Sequence, residues 1–124
     1  MKRILIAYST TDGHTKLICE KIKSVLGNTF IVDLQSIQDI QENFELLNKN
    51  FIYVVVGASI RYGKHSNEVY DFIKNNLDFL ESSHNAFFSV NAVARKPEKN
   101  TPETNPYIKK FLTLSNWTPK KLAV

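Results

Sequence analysis

The chain has 124 residues, of which 43% are hydrophobic and 23% are charged, and this balance fits one globular domain with a single core. Its one cysteine, Cys19, excludes an intrachain disulfide and favours a reducing compartment. The net charge of +4 favours anionic partners. Nucleic acid is the least favoured of these, because the sequence has no long basic block, arginine-rich helix or zinc-finger spacing. The apolar runs at residues 4–7 and 51–60 are too short for a signal-peptide core or a membrane-spanning helix.

The hydrophobic pattern predicts strands and helices in alternation. Residues 2–8 predict a strand buried on both faces, because near-continuous apolar runs are typical of parallel sheets. Thr15 begins a predicted helix, which Gly27 ends as a C-terminal cap. Further strands are predicted at residues 30–32, 51–56, 86–90 and 121–124, and further helices over 35–50, from Ser66 and from Thr101-Pro102.

This alternation predicts an α/β fold with right-handed crossovers and a mostly parallel, doubly wound sheet. Residues 51–56, which are β-branched or aromatic throughout and end at Gly57, are the strongest strand and should be central. Ligands of such sheets bind beyond the carboxyl ends of the strands. A functional site is therefore expected in the loops at that edge.

A hydroxyl-rich loop, Ser9-Thr10-Thr11-Asp12-Gly13-His14-Thr15, follows the first predicted strand and leads into a helix. Its hydroxyls and the free N–H groups of the helix start can donate to a phosphate. The loop lacks the Gly-Lys-Ser/Thr of ATP sites and the three spaced glycines of dinucleotide sites. We expect Asp12 to turn away and bond backbone amides. The alternative interpretation is that these residues only cap the helix.

This loop resembles the phosphate loop of flavodoxins, with Gly13 and Thr15 at matching positions. The runs 57–63 and 88–99 resemble those of the flavodoxin-type protoporphyrinogen oxidase family, and the runs 101–105 and 110–112 extend the likeness. The resemblance implies a flavodoxin-like sheet of order 2-1-3-4-5. It also implies that residues 1–124 form a single FMN-binding domain.

The resemblance places the FMN phosphate against the first loop and the isoalloxazine ring between the loops after strands three and four. Tyr62 would stack on the ring, although an ordinary half-buried aromatic is the alternative. The residues expected to bind the phosphate are Ser9, Thr10, Thr11, Asp12, Gly13, His14 and Thr15. The residues expected to bind the ring are Ser59, Ile60, Arg61, Tyr62, Gly63, Ser89, Val90, Asn91, Ala92, Val93 and Ala94.

Three basic residues, Arg61, Arg95 and Lys96, would surround the flavin entrance and suit the propionates of a porphyrinogen. The reaction that the resemblance implies is oxidation of protoporphyrinogen IX to protoporphyrin IX in haem biosynthesis, with a membrane quinone as electron acceptor. The protein would act in the cytoplasm, peripherally on the anionic inner face of the cell membrane. The alternatives are an FMN-binding electron carrier or quinone reductase and an inactive truncated fragment.

The remaining reactive side chains carry no assigned catalytic role. His14, His65 and His84 have no metal-site spacing. His65 is expected to be an exposed loop histidine, with a proton relay as the alternative. Cys19 is expected to be a small, partly buried helix residue and not a redox thiol.

The chain stops at residues 122–124, where a fifth strand begins, whereas the resembled family continues through that strand and a last helix. We therefore expect an incomplete fifth strand and no last helix, which would leave apolar sheet surface beside the first helix in water. At about 25 cal/mol per Å², such exposure could remove most of a typical stability of about 5 to 15 kcal/mol. A marginally stable or aggregating monomer is expected.

Overall fold

The fold is built around a central parallel sheet. The computed structural model describes residues 2–9, 14–61, 64–90, 100–115 and 117–123. The strands in these parts of the chain are β1 (Arg3–Ser9), β2 (Ile31–Ser36), β3 (Phe51–Arg61), β4 (Lys64–His65), β5 (His84–Val90) and β6 (Lys121–Ala123). The parallel strands lie in the order β2-β1-β3-β5-β6, and the two-residue β4 pairs antiparallel with β3. Counted over the parallel strands, this is the predicted order 2-1-3-4-5, with the predicted central strand in the middle.

Helices pack on both faces of the sheet. They are α1 (His14–Leu26), α2 (Ile37–Glu42), a 3₁₀ turn at Phe44–Leu47, α3 (Asn67–Asn75), α4 (Leu77–Glu81) and α5 (Pro106–Leu114). Alternate residues of β3 point to opposite faces, so Val54 and Val56 join the core formed with α2 to α5. Val55 packs instead with the smaller apolar cluster under α1.

Two predicted helix starts are wrong, because polar side chains cap the helices further along the chain. β2 continues past the predicted end at residue 32, and the Ser36 hydroxyl accepts a hydrogen bond from the Asp39 amide to cap α2. The last helix begins at Pro106 and not at Thr101, because the Asn105 side chain accepts from the amides of the first turn. The helix predicted over 35–50 is therefore α2 followed by the 3₁₀ turn.

Gly57 does not end β3, as the sequence predicted, but lies within the strand. The ring of Phe88 on the neighbouring β5 covers Gly57 so closely that a Cβ there would overlap it. The absence of a side chain therefore leaves room for the Phe88 ring over the backbone of β3. β3 continues past Gly57 to Arg61, beyond the last residues that pair with β1 and β5.

The face of the sheet under α1 is less covered than the opposite face. Tyr53, Val55 and Phe88 are only half-buried there, and Leu17 and Val25 of α1 are more than 60% exposed. This is the face on which the sequence predicts open apolar surface. Of the helices in the described ranges, none combines the length and apolar character that crossing a bilayer requires.

Candidate functional site

The carboxyl ends of β1, β3 and β5 lie side by side at one edge of the sheet. Ser9 pairs in register with Ala58, and Ala58 pairs with Ser89. These residues begin or immediately precede the segments that were predicted to bind a cofactor. The fold therefore brings the phosphate segment and the two ring segments to one edge, as ligand sites of parallel sheets require.

Thr15 is the residue at this edge whose polar group most clearly lacks a partner. It lies in the first turn of α1, it is fully buried, and its Oγ1 has no hydrogen-bond partner among the described residues. A buried hydroxyl left unpaired costs about 1 to 3 kcal/mol. The first turn of α1 contains Lys16 and no acidic residue, so no carboxylate within that turn neutralises its partial positive charge. A bound anion would accept a hydrogen bond from the Thr15 hydroxyl and would be attracted by the partial positive charge of the helix start.

The Ser9 hydroxyl, by contrast, is engaged within the chain. It donates a hydrogen bond of 3.1 Å to Oε2 of Glu68, and it lies 3.4 Å from the hydroxyl of Ser66. Glu68 is half-buried in the first turn of α3. The hydroxyl of Ser9 would have to leave this carboxylate before it could donate to a phosphate, so Thr15 is the better-placed donor.

The first predicted ring segment is part of a hairpin and not a loop from its start. Ser59, Ile60 and Arg61 belong to β3, and Ile60 pairs with His65 across the antiparallel connection to β4. The second segment begins with Ser89, which is buried, and Val90, which is half-buried at the end of β5. Regular strands therefore hold the base of both segments.

His65 is buried, which contradicts the expectation of an exposed loop histidine. It is 1% exposed, and its Nε2 forms a 2.8 Å hydrogen bond with Oγ of Ser89. Its ring makes edge contacts with Phe87 and Phe111, with centroids 5.3 and 5.6 Å apart. Burial lowers the pKa of His65 to about 4, so the imidazole is neutral at pH 7. No local sequence signal marks this environment, because Ser89 lies 24 residues away and is reached only through the sheet.

Several predicted site residues lie outside the part of the chain that the structure describes, and their roles stay predictions. They are Thr10, Thr11, Asp12, Gly13, Tyr62, Gly63, Asn91, Ala92, Val93, Ala94, Arg95 and Lys96. The side chains of His14 and Arg61 also lie outside it.

The other titratable candidates are placed away from this edge or are inert. Cys19 is fully buried in α1, and burial, with a smaller contribution from Glu20, raises the pKa of its thiol to about 12. The thiol is therefore protonated, which agrees with its predicted structural role. His84 is exposed at the start of β5, where it stacks on Tyr53. The described ranges contain no group of three or more His, Cys, Asp or Glu residues that could hold a metal ion.

Sequence comparison places this chain near flavin proteins. A flavodoxin domain model matches residues 5–124. The chain is 44% identical over 124 residues to protoporphyrinogen IX dehydrogenase (quinone) of Escherichia coli K12. The match includes 98% of this chain and 66% of that protein, so the chain spans just under two thirds of the relative's length.

Solved flavodoxin structures have the same fold. Oxidised flavodoxin 2 from Bacillus cereus matches with a TM-score of 0.61 and 22% identity, over 97% of this chain and 82% of that one. A flavodoxin mutant from Fusobacterium nucleatum bound to flavin mononucleotide matches with a TM-score of 0.56 and 17% identity, over 99% of this chain and 68% of that one. At these identities the likeness establishes the fold alone.

Proposed function

The chain belongs to the flavodoxin domain family, and from that membership we propose that it binds FMN and serves in the oxidation of protoporphyrinogen IX to protoporphyrin IX. A quinone is the proposed electron acceptor. The name of the E. coli relative supports the substrate and the acceptor, and the FMN-bound flavodoxin of the same fold supports the cofactor. Because the chain spans 66% of that relative's length, the activity named for the whole relative comes to this chain only as a proposal.

The observation that carries the cofactor assignment is the buried, unpartnered hydroxyl of Thr15 at the start of α1. A phosphate at this point would accept a hydrogen bond from Thr15 and from the free N–H groups of the helix start. Both donors belong to the first turn of α1. The hydroxyls of Thr10 and Thr11 are the further donors proposed for this loop.

The ring of the flavin is proposed to lie between the segments 59–63 and 89–94, which leave the sheet beside the phosphate loop. When bound, the flavin supplies the redox chemistry, while the protein positions it and sets its electrostatic surroundings. Arg61, Arg95 and Lys96 are proposed to attract the carboxylates of the porphyrinogen. The neutral imidazole of His65 adds no positive charge to this edge at pH 7.

We further propose that the domain works at the anionic inner surface of the cell membrane. The membrane quinone proposed as the acceptor is apolar and held in the bilayer, so the domain would reach it at that surface. The net charge of +4 suits an approach to anionic lipid, because each basic residue near such a surface contributes about 1 kcal/mol of attraction.

The first test measures the phosphate site. Replacing Thr15 by Ala should weaken FMN binding by about 1 to 2 kcal/mol, or about 5- to 30-fold, which is the scale of one hydrogen bond to a charged group. Riboflavin, which lacks the phosphate, should bind the variant and the parent chain equally. Titration of the apo-protein with both flavins, followed by flavin fluorescence, measures the two constants.

Thr118→Ala is the control for this test, since Thr118 is exposed far along the chain from the loop. Equal affinity of the parent chain for FMN and riboflavin would exclude a phosphate site. FMN binding without any porphyrinogen oxidation in the presence of a quinone would leave an electron carrier and an inactive fragment as the alternatives.

The second test concerns substrate recognition. Replacing Arg95 by Gln should raise the KM for the porphyrinogen about tenfold, the scale of a lost charge-assisted hydrogen bond, and should leave bound FMN intact. Steady-state oxidation followed by protoporphyrin fluorescence gives the KM, and absorbance gives the flavin content. Lys23→Gln is the control, because Lys23 is exposed in the last turn of α1. Loss of flavin with an unchanged KM would contradict the proposed role of Arg95.

A further inference from the structure

The segment 65–68, which runs from the end of β4 into the first turn of α3, contacts the carboxyl ends of two different strands. His65 bonds to Ser89 at the end of β5. Glu68 accepts from Ser9 at the end of β1, and Ser66 lies beside the same hydroxyl. Side chains of this segment therefore contact the ends of β1 and β5, while the backbone of His65 pairs with Ile60 of β3.

The contact between His65 and Ser89 is buried and sterically confined. Both residues are 1% exposed, and the imidazole lies against the edges of two phenylalanine rings, Phe87 and Phe111. A polar ring in such surroundings needs a hydrogen-bond partner, because an unpaired buried polar group is costly. The 2.8 Å bond to Ser89 meets this need and fixes one orientation of the imidazole. The bond therefore holds the hairpin to the end of β5.

We propose that His65 is a positioning residue for the flavin ring, whose hydrogen bond with Ser89 holds the β3–β4 hairpin against the carboxyl end of β5. The inference rests on the proposed function, since the ends of β3 and β5 lead into the segments proposed to hold the ring. His65 acts through Ser89 and the hairpin and does not contact the ring itself. Loss of this bond should therefore weaken binding of the flavin ring. The Thr15 hydroxyl and the loop of residues 9–15 are proposed to bind the phosphate instead.

Lumiflavin separates these two contributions, because it carries the isoalloxazine ring without the ribityl phosphate. His65→Phe keeps an aromatic ring in the cluster but removes the hydrogen bond to Ser89. This variant should bind lumiflavin and FMN about 3- to 10-fold more weakly than the parent chain, by the same factor for both. Thr15→Ala, in contrast, should weaken FMN alone. The visible circular dichroism of bound flavin should also change in His65→Phe, because the ring segments shift.

Two further variants distinguish positioning from a general loss of stability. His65→Gln retains a side-chain amide that can bond to Ser89 and should recover most of the lumiflavin affinity. In a double-variant cycle, Ser89→Ala combined with His65→Phe should cost less than the sum of the single changes, because both remove the same bond. His84→Phe is the matched control, since His84 is an exposed histidine at the opposite end of β5. All titrations are made well below the melting temperature of each variant.

Unchanged lumiflavin affinity in His65→Phe, or a loss confined to FMN, would overturn the proposal while leaving the proposed function intact. A parent chain that binds neither flavin would overturn both. If His65→Phe does not fold, Ser89→Ala can still refute the proposal, because it removes the same bond and leaves the aromatic packing in place. Lumiflavin affinity equal to that of the parent chain in Ser89→Ala would then refute the positioning role.

Discussion

Replacement of Phe111 by alanine is expected to lower the free energy of unfolding by about 3 to 5 kcal/mol, the usual cost of deleting a buried aromatic side chain. Phe111 is 0% exposed, and its ring stacks on Phe87 with centroids 3.9 Å apart. It also contacts the rings of His65, Tyr70 and Trp117. The alanine variant leaves all four partners facing a cavity. Urea unfolding followed by circular dichroism measures the loss.

Phe44→Ala is the matched control for Phe111→Ala. Phe44 is 57% exposed in the 3₁₀ turn, so its removal should change the free energy of unfolding by less than about 1 kcal/mol. A domain of this kind has a total stability of only about 5 to 15 kcal/mol, so Phe111→Ala should be marginal or unfolded at room temperature. A loss below about 1 kcal/mol would mean that the aromatic cluster around Phe111 does not form as described.

Acidification is expected to destabilise the domain by about 3 kcal/mol through His65 alone. Burial lowers the pKa of His65 from the ordinary 6.5 to about 4 in the folded state. Above pH 6.5 the imidazole is neutral in both the folded and the unfolded chain, and its burial as a neutral group has no proton-linked cost. As the pH falls from about 6.5 to about 4, the unfolded chain takes up a proton that the folded chain does not, which favours unfolding. Each tenfold change in proton affinity corresponds to about 1.4 kcal/mol.

The comparison with His65→Gln isolates this contribution. Urea unfolding of both chains at about pH 7.5 and about pH 4.5 gives the loss on acidification, which should be larger for the parent chain by about 2 to 3 kcal/mol. His84→Gln should behave like the parent chain, because His84 is exposed. The rings and the hydroxyl that contact His65, those of Phe87, Phe111 and Ser89, are uncharged. An equal loss in the parent chain and in His65→Gln would show that the imidazole becomes protonated without unfolding.

The sequence by itself determined the kinds and the order of the main elements, and it predicted the edge of the sheet at which a ligand would bind. Continuous apolar runs, as in residues 51–56, and helical spacing, as from Thr15 to Gly27, are local signals that survive in the folded chain. The hydroxyl-rich loop was recognisable for the same reason, since its residues are adjacent in sequence. The resemblance to a known family added the order of the strands and the identity of the cofactor.

Element ends were less predictable, because they depend on competing local contacts. Ser36 and Asn105 both cap helices that the pattern began earlier, and either position is compatible with the hydrophobic spacing. Gly57 reads as a strand terminator in sequence. In the structure it lies inside β3, and the ring of Phe88, 31 positions later in the numbering, covers the space where a side chain would be.

Only the tertiary structure decided which polar groups at the site are already bonded and which are not. Ser9 and Thr15 are both hydroxyl residues of the segment predicted as one loop, yet the first bonds to Glu68 and the second has no partner among the described residues. The sequence predicts that His65 is an exposed loop histidine. In the structure, β4 pairs antiparallel with β3, and His65 packs within an aromatic cluster and bonds to Ser89. These differences arise from residues that are distant in sequence and neighbours across the sheet. Local composition carries no information about such contacts, because burial and pairing are properties of the assembled fold.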